Sequence, residues 1–272
     1  MARRAPLALI LAAALAVVAA TPLHAAGPAL TPDQQAQFLL TARIIKHKGI
    51  PKGVTSPVRL TLTDGALTHD AAFSTVNERQ SVMHFRDGRT ELNFVDSYKY
   101  SVAAYRLAGL LGLADMMPVT VERSVDGEKG ALSWWVDDVK LDEGQRLKDH
   151  VQPPDPADWN HQMYRMRVFT QLVADTDRNT GNVLITSEWK LWMIDFTRAF
   201  RHTHTLIAPK DVTRCDRALL DRLKALTRDQ VAAETKSYLE PADIEGVMAR
   251  RDALVALIEQ MIAERGEAQV LY

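Results

Sequence analysis

Asn182 and Asp195 lie thirteen positions apart, and the residues between them leave the chain little choice of path. Val183-Leu184-Ile185 and Lys190 to Ile194 are short apolar arms on either side of a polar turn, which predicts a tight β-hairpin. A hairpin of that length returns to where it started. The amide and the carboxylate therefore meet at one end of the ribbon, with Asp177, five residues before Asn182, beside them.

Those residue types match one kind of chemistry. A phosphoryl group in transfer spreads negative charge over its oxygens, so its site needs divalent cations on hard oxygen ligands and a carboxylate facing the nucleophile. Asn182 and Asp195 suit the metal, and Asp177 suits the nucleophile. Kinase catalytic loops use Asp-x-x-x-x-Asn, then a hairpin and an Asp-Phe-Gly turn. Here the turn reads Asp195-Phe196-Thr197, without the glycine. The same stretch offers a second reading as a calcium loop, because Asp175, Asp177 and Asn179 occupy its first three ligand positions. That loop requires Gly at its sixth position and Glu at its twelfth, where this chain has Thr180 and Thr186.

The sequence Asp177-Arg-Asn-Thr-Gly-Asn182 with Ile194-Asp195 resembles the catalytic loops of the phosphatidylinositol 3- and 4-kinases and the HipA-like kinases. Supporting segments are Ala103 to Leu107 with Leu110 to Leu113, Pro118 to Arg123, Trp189 to Arg201 and Pro209-Lys210-Asp211, and the likeness runs from about Thr55 to the C-terminus. The resemblance implies an α+β, two-lobed protein-kinase-like fold, with a strand-rich N-lobe over 26–136 and a mainly helical C-lobe over 137–272. It implies ATP or another nucleoside triphosphate as donor, Mg²⁺ or Mn²⁺ on Asn182 and Asp195, Asp177 as catalytic base, and an unidentified hydroxyl acceptor. Arg178 would anchor the loop. Trp135, leading into the hinge, would line the adenine pocket or pack between lobes, and Gly49, Lys52 and Gly53 belong to a loop that would cover the phosphates with backbone amides.

Two expected residues are missing. Ala71-Ala72-Phe73-Ser74 stands where kinases carry Val-Ala-Ile-Lys, and Ser101 stands where the partner glutamate is expected. Losing one member alone would strand a charge, whereas losing both is a coherent change. Lys46, Lys48, Lys52 and Arg59 are the basic candidates to reach the phosphates instead. The alternative is a catalytically weak or inactive pseudokinase that binds nucleotide or acts as a scaffold.

Residues 1–25 read as a secretory signal peptide: Arg3 and Arg4, an apolar run of about 14 residues from Leu7 to Ala20, and Leu23-His24-Ala25 as a small-residue cleavage site. The run falls short of the roughly 20 residues that span a bilayer. The expected location is periplasmic or secreted, with no stable membrane span after cleavage. Without Arg3 and Arg4, 31 basic side chains face 34 acidic ones, which argues against broad nucleic-acid binding. Cys215 is the single cysteine, so no internal disulfide forms and stability rests on the core.

Along the chain, Thr31 to Ile45 predicts a helix, Lys48 to Pro57 a loop, and Val58 to Thr63 with Leu67 to Val76 a hairpin around Asp64-Gly65. Residues 77–93 are polar and predict a mobile excursion. Asp96 to Leu113 predicts a helix, and Val119 to Glu122 with Ala131 to Val136 predict paired strands. Charged residues 137–156 end in Pro153-Pro154-Asp155-Pro156, a boundary signal. Trp159 to Ala174 is an amphipathic helix leading into the Asp177 loop, and three further helices follow from Arg217 to Glu264. His202 and His204 form a pair with no obvious third metal ligand and read as surface residues.

Overall fold

The computed structural model describes residues 30–49, 57–85 and 88–272. The predicted signal peptide, Lys52 and Gly53 lie outside them. The first helix, α1 (Pro32–Thr41), has a reciprocal cap: Thr31 Oγ1 accepts from Gln34 N at 3.3 Å and Gln34 Oε1 from Thr31 N at 2.9 Å. It stops four residues before the expected end. Arg123, from far along the chain, donates to the carbonyls of Leu39 at 2.7 Å and Ala42 at 2.8 Å, and the chain turns extended at Ala42. Strand β1 (Arg43–Gly49) begins at once, so Gly49 ends a strand rather than lying in a loop.

The predicted hairpin follows as β2 (Val58–Thr63) and β3 (Thr68–Ser74), with Asp64 Oδ1 accepting from the turn amides of Ala66 and Leu67. The expected excursion is instead an ordered antiparallel hairpin, β4 (Asn77–His84) and β5 (Thr90–Ser97). Nearly all of β4 is exposed on both faces, so no apolar alternation marks it in the sequence. Helix α2 (Tyr98–Leu110) leads to β6 (Thr120–Val125) and β7 (Glu128–Trp134).

Five strands form one antiparallel sheet in the order β1-β2-β3-β7-β6. On one face Leu60, Leu62, Ala71, Phe73, Val121 and Leu132 pack with Phe38 and Leu39 of α1. On the other, α2 covers only the β6–β7 side: Tyr98 and Val102 meet Ala131, and the Tyr98 hydroxyl donates to Glu122 at 3.2 Å. The remainder of that face carries Lys46, Lys48, Arg59, Asp70 and Ala72, which the cross-strand register places together. β3 and β7 approach closely at Gly130, where a Cβ would sit 2.5 Å from the Ser74 carbonyl oxygen and 2.6 Å from the Phe73 ring.

The chain leaves this sheet at Trp135 and joins a second one of order β10-β9-β8, formed by β8 (Val139–Asp142), β9 (Val183–Thr186) and β10 (Leu191–Met193). The charged 137–156 stretch therefore holds β8 and a short helix, α3 (Glu143–Lys148), capped by Asp142 and stapled by a buried Arg146–Glu143 pair at 2.6 Å. Next comes α4 (Pro156–Leu172). After the ribbon follow α5 (Arg217–Ala225), α6 (Arg228–Thr235), α7 (Pro241–Arg265) and α8 (Glu267–Val270). Phe169, Leu172, Leu223, Val247, Leu254 and Ile258 fill their shared core, and Cys215 is buried there. No helix among the described residues is long and apolar enough to cross a membrane.

One charge lies deep in this part. Arg250 of α7 is fully buried, and burial lowers its pKa to about 10. Its guanidinium donates to the carbonyls of Leu172 and Arg201, each at 2.8 Å, and to that of Thr203. These bonds set backbone dipoles against the charge at Nε and Nη1, while Nη2 is buried without a partner among the described residues, and they fix the segment after Phe200 against α4.

Candidate active site

The site is assembled around Arg178. Its guanidinium pairs with the fully buried Asp175 carboxylate at 2.6 Å and donates to the carbonyls of Asn182 at 2.9 Å, Ile194 at 2.6 Å and Asp195 at 3.2 Å, while stacking 4.1 Å from the Phe196 ring centroid. One planar group thus ties both ends of the β9–β10 ribbon together, as its fork of donors allows. The ribbon closes as expected, with Val183 opposite Met193 and Ile194 N donating to Asn182 O at 3.1 Å.

Asn182 ends a single 3₁₀ turn, Thr180–Asn182, capped by Asn179. Its Nδ2 donates to the Asp177 carbonyl at 3.2 Å, which leaves the amide oxygen as its remaining acceptor. Asp195 adopts a left-handed backbone, φ +57°, that Asp tolerates better than most residues, and Thr197 Oγ1 donates to its Oδ1 at 3.0 Å. Asp177 and Asp195 are both exposed. Asp177 nevertheless has a raised pKa: partial desolvation of its carboxyl dominates, the charge of Arg198 and a hydrogen bond with Asn179 oppose it, and Asp195 and Asp175 add to it. A carboxylate set near a second acid and open to solvent can accept a proton from an incoming hydroxyl.

The oxygen set of Asn182 and Asp195 suits a hard divalent cation. Another observation fits the same ion: Asp96 Oδ1, near Asp195, is buried without a hydrogen-bond partner among the described residues. No group of three or more His, Cys, Asp or Glu side chains there is arranged to hold a metal by itself, so amide or ligand oxygens would complete the shell. His202 of the His-x-His pair instead faces Asp243 at 3.1 Å.

The residues expected on the nucleotide side lie among neutral and paired groups. Ser74 ends β3 with its hydroxyl buried and without a partner among the described residues, and Ser101 Oγ accepts from Phe196 N at 3.3 Å, so α2 docks on the Asp195 turn through a neutral contact. Arg59 donates to Asp70 at 2.6 Å and lies 4.1 Å from the Trp135 ring centroid. That ring is half-buried beneath a cation. Burial pushes the Asp70 pKa up, but hydrogen bonds from Thr61 and Arg59 and the charge of Arg59 outweigh it and leave it lowered. Lys46 and Lys48 sit on the same face, exposed.

Sequence reasoning missed the residues that close the site from the side. Glu91 of β5 accepts from Arg198 at 2.5 Å and also pairs with Arg201, while Phe94 and Phe85 lie 4.3 and 5.7 Å from the Arg198 guanidinium. The β4–β5 hairpin is thereby latched to the segment after Asp195. Nothing local in a polar stretch announces a partner over a hundred residues away.

No protein-family model and no curated protein matches the sequence. Solved structures do match in fold. A hydra Fam20, solved with sugar, superposes with a TM-score of 0.67 at 12% identity, covering 88% of this chain and 91% of that one. A Helicobacter pylori proinflammatory kinase, CtkA, gives a TM-score of 0.52 at 10% identity, covering 84% and 98%. The chain has a kinase-like fold, strand-rich in its N-terminal part and mainly helical in its C-terminal part.

Proposed function

We propose that the protein is a phosphotransferase that moves the terminal phosphoryl group of a metal-bound nucleotide, ATP or another nucleoside triphosphate, to a hydroxyl acceptor. The observation that carries this reading is the Arg178 network, which gathers Asn182 and Asp195 at one solvent-facing ribbon end beside Asp177. Asn182 and Asp195 would hold Mg²⁺ or Mn²⁺, which when bound would neutralise charge on the phosphates. Asp177 orients the acceptor hydroxyl and takes its proton. Arg178 holds the loop and does not touch the substrate. Arg59, Lys46 and Lys48 supply the positive charge on the sheet face that Ser74 does not, Trp135 lies beside the base, and Gly49, Lys52 and Gly53 are the residues assigned to the phosphates from the sequence.

The loop sequence supports a finer assignment within the phosphatidylinositol 3-/4-kinase and HipA-like superfamily. The leader supports export to the periplasm or beyond, and the near-neutral charge supports a partner other than nucleic acid. Because the hydra Fam20 was solved with sugar, a sugar hydroxyl is the first acceptor class to try, ahead of protein and lipid hydroxyls.

Calorimetry with ATP and MgCl₂ or MnCl₂ tests the reading. Binding should be metal-dependent. Asp195→Ala should lose that dependence, whereas Asp177→Ala should bind normally and lose roughly 10²–10⁴-fold in turnover. Equal loss of both quantities in both variants contradicts the assigned roles. The paired serines at 74 and 101 favour one second reading, a pseudokinase scaffold. Nucleotide binding with neither hydrolysis nor transfer, unchanged by Asp177→Ala, would select it.

A further inference from the structure

The β5–α2 junction places an acid where the mechanism above has no use for one. Asp96 is the penultimate residue of β5, and Ser97 N donates to the Thr197 carbonyl at 2.9 Å, pinning the junction to the turn that follows Asp195. Thr197 Oγ1 donates to Asp195 at 3.0 Å, with the Asp96 carboxylate on its other side. A threonine hydroxyl has one proton and cannot donate to two carboxylates at once. Asp96 Oδ1 is correspondingly buried without a partner, and Glu78, opposite Asp96 in the β4–β5 register, adds a further negative charge. The cation whose charge both Asp96 and Asp177 feel, Arg198, is bound to Glu91. Two neighbouring carboxylates, one satisfied by the single hydroxyl proton and the other with a buried bare oxygen, are a costly arrangement unless positive charge enters between them.

We infer that Asp96 is a further protein oxygen ligand of the divalent cation held by Asn182 and Asp195. This inference rests on the metal-binding reading of those two residues. It gives the N-terminal sheet region a new stake in the site. Where α2 carries neutral Ser101 against the Phe196 backbone, the acid comes from the strand end five residues earlier, and it serves the ion rather than a lysine. Thr197, in the place of the glycine after Asp-Phe, holds Asp195 through its hydroxyl and the strand end beside Asp96 through its carbonyl.

The test is metal titration of the whole protein with MnCl₂ and MgCl₂, alone and with ADP, followed by thermal unfolding and calorimetry. Asp96→Asn keeps the shape and removes the charge. It should raise the metal-free Tm, because a repulsive buried charge is gone. It should also weaken Mn²⁺ affinity at least tenfold and abolish most of the metal-induced rise in Tm. Asp96→Glu should restore part of that rise. A purely structural Asp96 would lower the metal-free Tm and leave metal affinity unchanged, which overturns the inference. If Asp195→Asn loses the metal response while Asp96→Asn keeps it, the inference fails and the metal reading of Asp195 stands. If wild type shows no response to either metal, with or without ADP, both fail together.

Discussion

The ribbon that carries Asn182 and Asp195 and the sheet face that carries Arg59 and Ser74 are built by opposite means. In the ribbon a single local side chain, Arg178, satisfies a buried acid and three carbonyls, all within seventeen residues of itself. On the sheet face the charges come from three strands, and their arrangement follows only from register. Locally determined geometry tolerates little substitution. A face assembled from separate strands can exchange one cation for another, and here the end of β3 and helix α2 carry neutral Ser74 and Ser101.

The largest effect should come from breaking the ribbon. Arg178→Ala leaves the Asp175 carboxylate buried and unpaired, so urea unfolding should show a loss of about 3–5 kcal/mol. Arg178→Lys should recover part of the stability but little nucleotide binding, because an ammonium cannot span the same carbonyls. A loss below about 1 kcal/mol for the alanine variant would show that the ribbon does not depend on this hub. Next in size is Gly130→Ala, which forces a methyl against the Ser74 carbonyl and Phe73 ring and should cost about 1–3 kcal/mol by the same measurement. It would disturb the sheet face and spare the ribbon.

A finer probe separates the sheet cations. Arg59→Ala should lower kcat/KM roughly 10–10²-fold if this guanidinium takes over the phosphate contact, with Lys46→Ala and Lys48→Ala changing it less. Equal, small effects for all three would show that no single cation replaces the missing lysine. The smallest effect concerns acid stability. The pKa of Asp70 is lowered in the fold, so its pairing with Arg59 contributes fully above the ordinary carboxylate value of 3.8 and is lost as pH falls through the lowered folded value. Both groups are partly solvated, so Asp70→Asn should remove less than about 1 kcal/mol at neutral pH. The difference from wild type should shrink below pH 4, and a difference that grows with acidity would contradict the pairing.

The contrast also explains what the sequence reveals. Strand β2 coincides with its expected span because Leu60 and Leu62 alternate with polar neighbours across a half-buried sheet, and the Thr31 and Asp64 signals act within three residues of themselves. The closing of the ribbon is legible for the same reason. Three features are not. Helix α1 stops early because Arg123 caps it from another strand, β4 hides because both its faces are wet, and Arg198 finds Glu91 only through the tertiary fold. Asp96 belongs with these: it reads as the first residue of a helix, whereas it lies in β5, where Thr197 meets the strand end from across the chain.

Arg250 has a last consequence. By gripping the backbone at Leu172, Arg201 and Thr203 from within the core, it denies the stretch beyond Phe200 the freedom to swing between alternative poses. On the proposed reading that stretch would meet donor and cation already placed, and transfer would not wait for a covalent mark to order it.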